Sequence, residues 1–182
     1  LHQAVAGMEA PIAVVGEEWP KDLPRASRPH LDTAPHALTE TGLLFTSGTT
    51  GISKGAMLTN ASVMFNGDRY LKAGGLMAMS YGDERLYNPL PLTYANAFAH
   101  TNIAMILSAG CMIFPDRFHP TRWWSDIKST DATIVHHLGI IVPLLLQSEP
   151  TPDDRAHRVK FALGASVSAE QHAKWEERFG FP

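Results

Sequence analysis

An α/β fold, with a largely parallel sheet covered by helices on both faces, is predicted by three features of this sequence. Short apolar runs of strand length alternate with longer runs of helical periodicity from Leu43 onward. Glycine, proline and small polar residues punctuate the boundaries between them. The 182 residues, 45% hydrophobic and 18% charged, suffice for one domain with a real core and show no internal repeat.

In order along the chain, Ile12–Val15 is a short strand candidate, and the four prolines from Pro20 to Pro35 mark an irregular connector. Residues 1–40 therefore read as a lead-in and 41–182 as the α/β domain. Leu43–Phe45 and Ala56–Leu58 are strands. Asn60 to about Met79 is helical, with Asn60 as its cap and Gly74-Gly75 near its end. Leu86–Leu90 is a strand, followed by a mostly apolar helix over Ala95–Ser108 that Gly110 ends. Cys111–Phe114 is the next strand, and Pro120 and Thr121 open a helix reaching Ser129. Thr133–His136 is a strand and Ile140–Gln147 a buried helix with Pro143 in its first turn. Val159–Leu163 is a strand, and Ala169–Phe179 is an amphipathic helix stopped by Gly180. Such alternation implies right-handed crossovers, and ligands of such sheets sit in loops beyond the strand ends.

A net charge of −3 with scattered basic residues gives no footprint for nucleic acid or an anionic membrane surface. No apolar run reaches transmembrane length. The lone cysteine, Cys111, sits in an apolar run, reads as a small core residue, and fits a reducing cytoplasm. The chain opens at Leu1 and closes on Phe181-Pro182 without polar tails, which predicts a piece of a longer protein.

The most informative run is Thr46-Ser47-Gly48-Thr49-Thr50-Gly51-Ile52-Ser53-Lys54-Gly55. Its apolar flanks read as two buried strands joined by a tight loop. Glycines let backbone approach a ligand closely, while four hydroxyls, free amides and the Lys54 ammonium donate to anionic oxygens. Such a loop suits a polyphosphate. It is not a Walker A loop, because the Gly-Lys-Ser/Thr triplet is missing, and a flexible hairpin turn is the competing reading.

Two further runs pass from strand to loop to helix. Asn88 to Ala97 places Tyr94 and Asn96 at a strand's mouth behind the stiffening Pro89 and Pro91. Phe161 to Ser168 contains Gly164 and Ala165, too small to block a flat ring, and then Ser166. Ser168 could cap the next helix, although Glu170 stands too early for a capping box. His136 and His137 are adjacent, so a strand points them to opposite faces and they cannot share one ion; no metal site is expected. Trp123-Trp124 read as packing residues, and Asp153-Asp154 as a solvated turn.

The loop run resembles the signature Thr-Ser-Gly-Thr-Thr-Gly-x-Pro-Lys-Gly of the adenylate-forming, AMP-binding superfamily, with Ser53 in place of proline. Pro91-Leu92-Thr93-Tyr94 is similar to its Pro-Leu-Phe-His motif, and Gly164-Ala165-Ser166 to its adenine-binding turn. Asp116 to Trp124, Ala132–Val135, Leu138-Gly139 and Glu176–Phe181 resemble the carnitine/crotonobetaine-CoA ligase branch. The resemblance implies part of the large N-terminal domain of an acyl-CoA synthetase. ATP would be held by Thr46, Ser47, Gly48, Thr49, Thr50, Gly51 and Lys54 at its phosphates and by Gly164, Ala165 and Ser166 at its base. Lys54 and Tyr94 would be catalytic, with Tyr94, Asn96 and Gly139 beside the carboxylic acid. Coenzyme A is the implied co-substrate. The magnesium-binding glutamate is expected in a motif that would follow Pro182, and this chain alone is expected to be inactive. A non-catalytic nucleotide- or acyl-binding remnant of the same fold is the second reading.

Overall fold

The computed structural model describes residues 34–46 and 54–182, and the strand candidate Ile12–Val15 and the start of the proline-rich connector lie outside them. The chain divides into two units, Leu1–Pro35 and His36–Pro182. The second contains a two-stranded antiparallel hairpin, β1 (Glu40–Thr46) and β2 (Lys54–Thr59), and a four-stranded parallel sheet. That sheet runs in the order β4 (Cys111–Ile113), β3 (Arg85–Tyr87), β5 (Ile134–Leu138), β6 (Phe161–Ala165). The helices are α1 (Asn60–Leu71), α2 (Asn102–Leu107), α3 (Trp123–Ser129), α4 (Ile141–Gln147) and α5 (Ala169–Phe179).

Strand periodicity sends alternate residues to opposite faces. Leu86, Ile134, Phe161 and Leu163 form a core with Met105 of α2 and Tyr70 of α1. Tyr87 and Val135 point the other way, into a core with Trp123, Trp124 and Ile127 of α3, Val142 and Leu145 of α4, and Trp175 and Phe179 of α5. Both faces are therefore covered, as the alternating sequence predicted. Trp123 and Trp124 are packing residues, as expected, and Trp124 stacks on His157 with ring centroids 5.3 Å apart.

The N-terminal edge of the sheet is held by an ion pair whose carboxylate is buried and whose ammonium is half-exposed. Glu84 is fully buried and accepts from Lys160 Nζ at 2.7 Å, Thr133 Oγ1 at 2.6 Å and the Ser80 amide at 2.8 Å. Three connections thus meet on one carboxylate.

Several local expectations are corrected. The hairpin strands are not buried: Leu43, Phe45 and Met57, on one face, are exposed. These two strands form a sheet of their own and do not belong to the parallel sheet. Thr59 rather than Asn60 caps α1, in a reciprocal capping box with Ser62. The helix ends at Leu71 instead of about Met79, because Gly74 and Gly75 take left-handed φ of 64° and 58°. β3 ends at Tyr87, where the Asn88 side chain turns back to accept from the Leu90 amide at 3.0 Å and Pro89 lacks a donor. The apolar helix after it begins as one π-wound stretch, Asn96–Thr101, before α2. Cys111 lies exposed on the edge strand β4 rather than in the core. Asp154 is buried rather than solvated, accepting from Thr151 at 2.9 Å and from Arg178 Nε at 2.7 Å. Ser168 does form a capping box, with Gln171 and not Glu170 as its partner.

Candidate functional site

The strand order creates a topological switch. From β3 the chain moves outward to β4, then crosses back past β3 to β5 and on to β6. The loops following β3 and β5 consequently diverge, and such a crevice at the carboxyl ends of parallel strands is where ligands of these sheets bind. A cavity of about 530 Å³ lies there. Its walls come from Pro89–Leu92 after β3, Phe114–Phe118 after β4, and Leu138, Ile140 and Ile141 around the start of α4. The lining is apolar except for Asp116 and Arg117. His119 Nε2, 2.9 Å from Asp116 Oδ1, and then Arg117 hold the Asp116 carboxyl below the usual range, although its exposure limits what this contributes.

One strand further along, the loop after β6 lies against the loop after β5. Leu138 and Ala165 are register partners at the strand ends. Past them Gly139 meets the Ser166 backbone so closely that a Cβ on Gly139 would run into the Ser166 carbonyl and lie 3.0 Å from the Ala165 carbonyl oxygen. Gly164 faces the same restriction from the other side: a Cβ there would strike the His137 imidazole. β6 runs on past Leu163, where the sequence predicted its end, so the Gly164–Ser166 turn consists of the last two strand residues and the bend after them. It is exposed and nearly devoid of side chain and presents a peptide edge suited to a flat ring. Among the residues expected to form the site, Gly139, Gly164, Ala165 and Ser166 are therefore brought together.

The others are placed elsewhere or only in part. Thr46 and Lys54 are register partners, the last pair of the hairpin before the connection between its two strands. Ser47, Gly48, Thr49, Thr50 and Gly51 lie outside the described residues. Tyr94 is exposed, its amide donating to the Pro91 carbonyl at 3.1 Å, and Asn96 begins the π-wound stretch. The cavity takes Pro91 and Leu92 from that run, but its lining does not include Tyr94 or Asn96.

Sequence reasoning passed over Arg117, Phe118 and Ile140 as cavity residues. The signal for Arg117 and Phe118 was the run from Asp116 to Trp124, which follows a strand; Ile140 read only as the first residue of a buried helix.

His136 and His137 occupy opposite faces of β5, as predicted from their adjacency. His136 Nδ1 is 3.1 Å from Thr101 Oγ1 on one side, and the His137 ring lies 5.2 Å from the Trp175 ring on the other. Burial pushes both imidazoles down to about 4, with the neighbouring His137 and His100 adding to the effect on His136. Both are neutral at physiological pH.

Residues 5–182 match the model of the AMP-binding enzyme family. The chain belongs to that family. It is 30% identical over 159 residues to the medium/long-chain-fatty-acid–CoA ligase FadD6 of Mycobacterium tuberculosis, covering 85% of this chain and 26% of the relative. Its fold is similar to ATP-bound MatB from Rhodopseudomonas palustris, with a TM-score of 0.64, 25% identity, and coverage of 76% of this chain and 27% of that one. It is also similar to the N-terminal domain of FACL13 from Mycobacterium tuberculosis, with a TM-score of 0.67 at 20% identity over 83% of this chain and 37% of that one. This family member thus has the fold of the N-terminal domain of adenylate-forming enzymes, and spans about a quarter of the curated relative's length. Among the described residues, no helix is long and apolar enough to cross a membrane.

Proposed function

We propose that this chain supplies part of the nucleotide and substrate walls of an ATP-dependent acyl-CoA ligase. A carboxylate oxygen attacks the α-phosphorus of ATP, forming the acyl-adenylate and expelling pyrophosphate. The thiol of coenzyme A then attacks the acyl carbon, loses its proton, and releases AMP. The observation that carries this reading is the apolar cavity at the switch point, one strand away from the bare Gly164–Ser166 turn. An apolar chain fits the first and a planar base the second.

Lys54, at the mouth of the hairpin that carries the hydroxyl-rich loop, supplies charge to the phosphates. Chemistry of this type depends on positioning and on neutralising developing charge. Family membership and the resemblance to a fatty-acid–CoA ligase support the reaction class, and the carnitine/crotonobetaine branch rests on sequence runs alone.

ATP–pyrophosphate exchange with a panel of carboxylic acids, using the full-length protein, tests the reading. Lys54→Ala should slow exchange about 10- to 150-fold, the equivalent of one charge-assisted hydrogen bond of about 1.5–3 kcal/mol. Unchanged exchange removes Lys54 from the mechanism. A non-catalytic nucleotide- or acyl-binding protein is the second reading, favoured by Tyr94 standing where the family motif has histidine; ATP binding without exchange for any acid would select it.

A further inference from the structure

We infer that Gly139 is a positioning residue, whose bare Cα lets the loop after β5 clamp the Gly164–Ser166 turn in the shape that accepts the base of ATP. The inference rests on the functional reading above and reassigns Gly139 from a substrate contact to a residue that acts through its neighbour.

The contact is between two backbones. A Cβ on Gly139 would lie 2.8 Å from the Ser166 carbonyl carbon and closer still to its oxygen, with the Ala165 oxygen at 3.0 Å. No flexible side chain stands there to yield, so any side chain at position 139 must displace the turn itself. Ser166 is also one of the few non-glycine residues with positive φ, at 63°, which an L-residue adopts only when its surroundings impose it. The imposing surroundings are visible: the β5–β6 ladder holds Leu138 opposite Ala165, and the capping box of Ser168 and Gln171 anchors the start of α5. Between these two anchors Ser166 takes its positive φ, and the carbonyls of Ala165 and Ser166 lie against the bare Cα of Gly139. His137, packed beneath Gly164, closes the other side. The turn is thus fixed from below by a side chain and from the flank by an absence of one.

A double-mutant cycle with Gly139→Ala and Ser166→Gly tests this coupling, because glycine at 166 frees the backbone that alanine at 139 would push. Two readouts are taken on the full-length protein: ATP binding by calorimetry, and hydrogen exchange of the peptide spanning residues 161–168 without nucleotide. Gly139→Ala should weaken ATP binding about tenfold and speed exchange of that peptide, and both effects should shrink in the Ser166→Gly background. If Gly139→Ala alone does not fold, recovery of folding in the double variant is the coupling itself. Equal effects in both backgrounds, or exchange in Gly139→Ala matching the native chain, would overturn the assignment. Failure of the unsubstituted protein to bind ATP would instead overturn the functional reading, and with it the ligand assigned to this turn, whatever the exchange shows.

Discussion

Lys160 and Glu84 meet at 2.7 Å across the amino ends of β6 and β3, one half-exposed and the other fully buried. Burial by itself would raise the Glu84 pKa, but the bonds from Lys160, Thr133 and the Ser80 amide outweigh it and hold the carboxyl below its usual range. Lys160→Met leaves that carboxylate buried with its hydroxyl and amide donors only. We expect a loss of about 2–3 kcal/mol, below the cost of breaking a fully buried pair because Lys160 itself reaches water. Urea unfolding followed by tryptophan fluorescence measures it; a change under about 0.5 kcal/mol would show that the pair contributes little.

The β5 histidines predict acid sensitivity in a higher pH window. Their folded pKa, about 4, lies below the ordinary 6.5, so the unfolded chain binds more protons between those values. Their contribution to stability is complete above about pH 6.5 and is lost as pH falls towards about 4. The Glu84 contribution has the same sign but is lost only below its ordinary value of 4.5. The unfolding free energy should therefore already decline between pH 6.5 and 5. Replacing both histidines with glutamine should flatten that part of the profile, and an unaltered slope would place the titrating groups elsewhere.

Arg178 ties α5 to the end of α4 and the segment that follows it. Its guanidinium bonds Asp154 at 2.7 Å and reaches the carbonyls of Leu146, Ser148 and Glu149. Arg178→Met leaves a buried carboxylate and three carbonyls to be satisfied otherwise, and should cost about 3–4 kcal/mol. Asp154→Asn keeps a hydrogen-bonding group in place and should cost less. The order of the two melting temperatures decides the point.

Ala109 offers a gain in stability instead. It follows α2 with φ of 54°, a left-handed conformation that glycine adopts without a Cβ penalty. Ala109→Gly should stabilise by about 0.5–1 kcal/mol, the relief of strain being offset in part by the freer unfolded chain. A lower melting temperature would mean that the conformation costs alanine nothing here.

How much was legible in advance follows from where the controlling interactions lie. Alternating apolar runs sufficed for the parallel sheet and for helices on both faces, because burial of one stripe or face is written into local periodicity. The limits of α5 were equally readable, since Ala169–Phe179 carries its own amphipathic pattern and its own stop. The strand residues of the hairpin misled, because Leu43, Phe45 and Met57 have the composition of buried strands, yet among the described residues they remain exposed.

Local chemistry in the sequence therefore determined the class of fold, the family, and which loops carry glycine and hydroxyl groups beside a strand end. Only the tertiary structure decided what those loops do to one another. Strand order is a long-range property: it opened a cavity between the ends of β3, β4 and β5 and admitted Arg117 and Ile140, while Tyr94 is not in its lining. It likewise placed Gly139 against Ser166, residues far apart in sequence whose contact exists because parallel neighbours end at the same level and one of them lacks a side chain.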